Sequence, residues 1–264
     1  MPPKYHNEKR VQLFRDTLKI ATAHHMPGPD STNTKYDYVA ALKAYQDAKN
    51  LYRTKSTIVR VINQDTIDLV LDVSRYSDGT VLVLNLASDY MPGGGCRSGC
   101  LAQEEQLYYC TNYDLILGKQ NRNKYYPLDH AKADSVLTTG VSIIRNGKYD
   151  VLKKGVKADF LALPALRKPS LVKGNYQKQD YETMNRKIES IFLVAAAKGY
   201  KTLVLGAIGC GAYHNPPYIV VEIFSKFMQQ YRGHFDEITF AVLARDPRNP
   251  NFVEFQKLEN KSLK

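Results

Sequence analysis

The residues best equipped for chemistry lie between Asn85 and Glu105. An apolar run ends in Asn85-Leu-Ala-Ser88-Asp-Tyr-Met-Pro92, three glycines follow (Gly93, Gly94, Gly95), and seven residues later comes Gln103-Glu104-Glu105. Glycine has no Cβ, so the backbone can approach a ligand closely and adopt positive φ. Exposed N–H groups in such a loop form a concavity suited to anions. The two carboxylates open a helix, where adjacent residues diverge by about 100°. Glu104 and Glu105 therefore cannot face one atom in the same way: one can act on a bond while the other holds a substrate hydroxyl. The plain alternative is a surface loop followed by two acids favoured in a helix's first turn. Glycines and acids together, directly after a buried strand, favour a site.

A second glycine loop has the same setting. The strand at Thr202–Leu205 runs into Gly206-Ala-Ile-Gly209-Cys210-Gly211-Ala212-Tyr213-His214-Asn215, ahead of a helix. Backbone amides near a helix N-terminus bind phosphate well. A dinucleotide fingerprint is excluded, because His214 stands where the third glycine of G-x-G-x-x-G belongs and no acidic residue follows at ribose distance. Two glycine loops after two strands can grip two ends of one diphosphate. The cysteines Cys96, Cys100 and Cys110 lack zinc-site spacing and a local histidine, so no metal is expected. His24 and His25 read as an exposed helix end, and His214 as loop structure.

The elements that position these residues alternate. A helix is expected over 7–24, a break at 26–31, and a second helix over 36–52 on the apolar spacing of Tyr38, Ala41, Leu42 and Tyr45. Strands are expected at 56–62, 80–86, 141–144, 158–166, 202–205 and 237–243. Helices are expected at 65–76 (opened by Asp65-Thr66), from 103, over 179–198, over 215–230 and near 252–258. This order argues for an α/β fold with a mixed, largely parallel central sheet between helices. No linker divides the chain. Residues 1–54 read as an N-terminal helical extension packed on a core formed by 55–264, one domain overall.

The chain has 264 residues, enough for a sizeable core, and a net charge of +11. Four cysteines without a dense framework suit a reducing compartment. The N-terminus has no signal-peptide run and no segment reaches the length of a membrane span. A soluble intracellular protein of cytoplasm or nucleus, acting as a monomer, is expected. The positive charge serves solubility or attracts a polyanion. No zinc-finger, basic-zipper or RNP-like pattern points to sequence-specific nucleic-acid readout.

Asn-Leu-Ala-Ser, then Pro-Gly-Gly-Gly-x7-Gln-Glu-Glu, is similar to the signature of the poly(ADP-ribose) glycohydrolases, which have a macrodomain fold. Gly-Ala-Ile-Gly-Cys-Gly-Ala-Tyr-x-Asn resembles the diphosphate loop of their bacterial-type, or microbial, branch. Weaker similarity runs from about Ile58 to Phe255. The resemblance implies hydrolysis of the ribose–ribose O-glycosidic bond of poly(ADP-ribose) and release of ADP-ribose, without cofactor or metal, and exo-acting because the chain is compact. It implies ADP-ribosylated proteins as partners. By position Glu105 is the catalytic acid and Glu104 orients the scissile ribose. Gln103 holds the loop; Asn85, Ser88, Pro92 and Gly93–Gly95 lie at the ribose and diphosphate. Gly209, Cys210, Gly211 and Ala212 cradle the phosphates, Tyr213 covers the distal ribose, Asn215 belongs to the same loop, and Asp65 lies near the adenine. Relatives outside this branch carry Asn at the position of Ser88, and the branch itself often has Phe at that of Tyr213. The competing readings are an ADP-ribose-binding macrodomain without chemistry and a hydrolase of mono-ADP-ribosylated protein.

Overall fold

The computed structural model describes residues 7–24, 28 and 30–259. Helix α1 (Glu8–Ala23) is capped by Asn7, whose side chain accepts from the Arg10 amide. Strand β1 (Asn33–Tyr36) leads into α2 (Tyr38–Asp47), capped by Asp37. Then come β2 (Ile58–Ile62), α3 (Thr66–Val73), β3 (Val81–Leu86), α4 (Gln103–Cys110), α5 (Tyr113–Ile116) and α6 (Arg122–Tyr125). Two long strands, β4 (Ser135–Arg145) and β5 (Val151–Leu163), form a hairpin, followed by the small pair β6 (Leu171–Val172) and β7 (Asn175–Tyr176). The chain ends with α7 (Lys178–Ala197), β8 (Thr202–Gly206), α8 (Pro217–Gln230), β9 (Glu237–Ala241) and α9 (Pro250–Gln256).

Seven strands make one mixed sheet in the order β1-β4-β5-β3-β8-β9-β2. The pairs from β5 through β3, β8 and β9 to β2 are parallel; β1 and β4 add an antiparallel edge. Side chains alternate across a strand, and β3 displays this: Leu82 and Leu84 enter a core shared with α7 and α8, whereas Val81 and Val83 enter a second core with α3 and α4. The result is three layers, helix on sheet on helix, as the alternation of elements predicts. Among the described residues no helix is long and apolar enough to cross a membrane.

Several boundaries differ from the sequence expectation. The second helix stops at Asp47 because Ala48 turns to extended backbone. Strand β1 was not foreseen; its residues pair with 135–138 of β4. Thus 1–54 is not purely helical but also supplies a sheet edge. Strands β4 and β5 are longer than expected, and α8 begins at Pro217 rather than at 215. The break at 26–31 and His25 fall largely outside the described residues.

One feature of the sheet makes room for a site. Strands β3 and β5 pair as far as Leu86 and Leu163, and β8 and β9 as far as Gly206 and Ala241. Between β3 and β8, pairing ends at Val83 and Val204. Beyond that point the two central strands separate at their C-terminal ends, where open α/β sheets form ligand crevices.

Candidate active site

Gln103 occupies the gap that opens between β3 and β8. Its side-chain Oε1 accepts from the Leu86 amide at 2.9 Å and its Nε2 donates to the Leu84 carbonyl at 2.8 Å. One carboxamide thereby replaces a neighbouring strand for two backbone groups that need partners. The same bonds fix the start of α4 against β3, and so fix the two residues that follow.

Glu104 is buried under the end of β3. Its carboxylate accepts from the Ser88 amide (2.7 Å), the Gly93 amide (3.2 Å) and Asn85 Nδ2 (3.3 Å). Burial pushes its pKa up to about 8 and the adjacent Glu105 adds to this, while the hydrogen bonds oppose it. Glu105, 8 % exposed, accepts from the Gly95 amide at 2.9 Å. The two carboxylates diverge on the helix as expected, yet bracket one residue: a Cβ on Gly94 would lie 2.5 Å from Glu105 Oε1 and 3.0 Å from Glu104 Oε2. Gly93 and Gly94 have φ of +76° and +50°. Glycine is required here both for the backbone conformation and to keep the carboxylates in reach.

This arrangement corrects the anion-cradle reading of the first glycine loop. Its amides are already engaged: Gly93 with Glu104, Gly94 with the Met91 carbonyl at 3.1 Å, and Gly95 with Glu105. The loop holds carboxylates. Pro92 is buried and its carbonyl accepts from Arg97. Ser88 turns its hydroxyl toward the amides of Tyr90 and Met91.

The second loop is organised differently. Asn215 is buried and donates to the carbonyls of Leu166 (2.7 Å) and Gly209 (3.1 Å), while accepting from the Tyr176 hydroxyl at 2.6 Å. It staples the loop and has no side-chain atom left for a ligand. Gly209 has φ +74°, and a Cβ there would collide with Asn215 and Ala165. Cys210 points inward, its thiol pushed up to about 12 by burial. Gly211 and Ala212 are exposed, and among the described residues no acceptor faces the amides of Gly211, Ala212 and Tyr213. Tyr213 is half-buried and leans toward the first loop, within electrostatic reach of Asp89 and Glu104.

Asp65 precedes Thr66, whose hydroxyl accepts from Gln103 Nε2 at 3.5 Å. Asp65 caps α3, accepting from the Ile67 amide at 2.8 Å, and faces the turn at Gly147. Three titratable residues near the cleft escaped the sequence reading: Asp89, His130 and Arg167. His130 Nε2 lies 3.1 Å from Asp89 Oδ2, and Arg167 Nη2 lies 3.5 Å from Asp89 Oδ1. Asp89 directly follows Ser88, so adjacency was its only signal; the other two arrive from distant loops. Cys96, Cys100, Cys110 and Cys210 are unbridged, and among the described residues no three His, Cys, Asp or Glu are grouped to hold a metal.

Residues 9–146, more than half of the sequence, match the family model described as microbial-type PARG, catalytic domain. The chain belongs to this family. The poly(ADP-ribose) glycohydrolase (PARG) from Thermomonospora curvata is similar with a TM-score of 0.80 at 21% identity, covering 96% of this chain and 100% of that one. Its form bound to the inhibitor ADP-HPD gives 0.76, again at 21% identity, covering 95% and 99%. The PARG from Deinococcus radiodurans in complex with ADP-ribose gives 0.75 at 22% identity, covering 86% and 93%. At such identities the likeness establishes the shared fold. No curated protein matches the sequence significantly.

Proposed function

We propose that this protein is a poly(ADP-ribose) glycohydrolase that cleaves the ribose–ribose O-glycosidic bond by general acid–base catalysis at Glu105. One observation carries the reading: two buried glutamates from the first turn of α4 bracket Gly94 at the mouth of a crevice, each held by a glycine-loop amide. Glycoside cleavage passes through an oxocarbenium-like state and needs a carboxyl that gives a proton to the leaving oxygen and recovers one from water. Glu105, the more exposed of the pair, delivers the proton as the anomeric C–O bond breaks. As water adds to the anomeric carbon, its proton returns to Glu105. Glu104, anchored by Ser88, Gly93 and Asn85, orients the scissile ribose through its hydroxyls.

The second loop supplies the diphosphate contact through the amides of Gly211, Ala212 and Tyr213, with the Tyr213 ring over the distal ribose. The net charge of +11 suits a polymer with two phosphates per unit. Unbridged cysteines suit a reducing compartment. The reaction is exo-acting and the protein monomeric in this reading.

The test incubates poly(ADP-ribosyl)ated protein with wild type, Glu105→Gln and Glu105→Ala. Wild type is expected to release free ADP-ribose from the first time point, without intermediate oligomers. Both variants are expected to lose at least 1000-fold in rate while binding ADP-ribose within about threefold of wild type. Full activity in either variant removes Glu105 from the mechanism, and binding without release by wild type makes the protein a reader.

A further inference from the structure

The crevice as built is lined by three carboxyl groups, of which Asp89 is held ionised by its bond to His130 and by nearby Arg167. Glu104, Glu105 and Asp89 line it, and the first-loop amides already serve the two glutamates. A diphosphate entering this space meets carboxylates, and only the second loop offers it free N–H groups among the described glycine-loop residues. A diphosphate brought in beside the Asp89 carboxylate calls for a cation that reaches both loops.

Arg167 meets that requirement. The segment carrying it follows β5 and is tied to the second loop, with the Lys168 amide donating to the Tyr213 carbonyl at 2.8 Å and Asn215 donating to the Leu166 carbonyl. The guanidinium stacks over the Tyr213 ring with Cζ 5.1 Å from its centroid, and Nη2 donates to the Tyr213 hydroxyl at 3.3 Å. The same Nη2 lies 3.5 Å from Asp89 in the first loop. The side chain is 58% exposed, and among the described residues Nε and Nη1 have no acceptor. Arginine presents five donors in a planar fork that matches phosphate oxygens in pairs. Two further guanidiniums lie beside the first loop: Arg97 is committed to Asp114 and the Pro92 carbonyl, and Arg122 lies over the Tyr90 ring with Cζ 4.1 Å from its centroid and donates to the Tyr90 carbonyl.

We propose that Arg167 is a phosphate-binding side chain: parked on Tyr213 and Asp89 in the free protein, it turns its unpaired donors onto the diphosphate of a bound ADP-ribose unit. This rests on the function proposed above and adds a substrate contact to it. No bond is made or broken; the guanidinium exchanges Asp89 for phosphate oxygens.

Calorimetric titration tests the proposal with two probes, ADP-ribose and the phosphate-free nucleoside adenosine, on wild type, Arg167→Ala and Arg167→Lys. Arg167→Ala is expected to weaken ADP-ribose binding ten- to a hundredfold and leave adenosine affinity within twofold. Arg167→Lys is expected to fall between, since it keeps charge but loses the fork. Between 50 and 500 mM salt, the salt dependence of ADP-ribose binding is expected to be shallower in Arg167→Ala than in wild type. Unchanged ADP-ribose affinity in Arg167→Ala overturns the proposal. So does an equal loss for both probes with a lowered melting temperature, which is the behaviour of a clamp holding two loops together. Wild type that binds no ADP-ribose overturns it as well. Wild type that binds ADP-ribose but cleaves no polymer removes the reaction and leaves the Arg167 result standing.

Discussion

Glu104 sits in an environment that works against its own charge. Burial raises its pKa to about 8, although three N–H donors face its oxygens. A carboxyl with a folded pKa above its unfolded value of about 4.3 binds a proton more readily when folded. Its stabilising contribution is therefore complete below about pH 4.3 and is lost as pH rises through about 8. Glu104→Gln keeps an acceptor oxygen and cannot ionise, so it lacks this penalty. The melting temperature of Glu104→Gln relative to wild type is expected to climb between pH 5 and pH 9, corresponding to a gain on the order of a few kcal/mol. Thermal melts at pH 5, 7 and 9 check this; a difference that does not vary with pH would mean the carboxyl titrates near its ordinary value.

The position of both glutamates depends on one element junction, the side chain of Gln103 against the unpaired edge of β3. Replacing it with alanine leaves the Leu84 carbonyl and Leu86 amide without partners in a largely buried place. At about 1–3 kcal/mol for each of the two groups, Gln103→Ala is expected to cost about 2–6 kcal/mol in urea unfolding. Gln103→Glu keeps the acceptor for Leu86 but not the donor for Leu84, so an intermediate loss is expected. Stability equal to wild type in both would deny the bridging role. The start of α4 and the burial of β3 were legible in the sequence, because Gln-Glu-Glu opens a helix and Val81–Leu84 is an unbroken apolar run. The gap that Gln103 fills was not legible, since it arises from unequal pairing lengths on the two sides of β3. Strand β1 was missed for a similar reason: Asn-Thr-Lys-Tyr buries only its tyrosine, and pairing with β4 alone makes it a strand. The second helix was overextended because apolar spacing continues into Leu51 and Tyr52 after the backbone has left the helix. The first glycine loop was placed at the site, but its amide partners could not be read from composition. Glycine permits a ligand's approach and a neighbouring carboxylate's approach equally.

Across the whole molecule, the N-terminal segment braces the loop that carries the site. The Asn7 amide donates to the Ser98 carbonyl at 3.1 Å, and Arg10 Nε donates to the Gly99 carbonyl at 2.6 Å. Thr17 donates to the Tyr109 carbonyl at 2.7 Å at the far end of α4, and Phe14 packs edge-on against Tyr109. Helix α1 thus touches both ends of the Cys96–Cys110 stretch that holds the glycines and glutamates in register. The match to the family model also begins inside α1, at residue 9. We propose that the segment from residue 9 to 54 belongs to the catalytic unit. Without it, β4 loses its outer partner β1 and α7 loses α2, leaving a bare strand edge that invites association. A chain beginning at residue 55 is expected to aggregate or to lose ADP-ribose release. Because such a chain can fail merely by not folding, the decisive variant is the full chain with Arg10→Ala and Phe14→Ala. It is expected to remain folded by circular dichroism, to exchange amide hydrogens faster at 95–106, and to release ADP-ribose at least tenfold more slowly. Exchange and turnover equal to wild type would show that the extension covers the core without supporting the site.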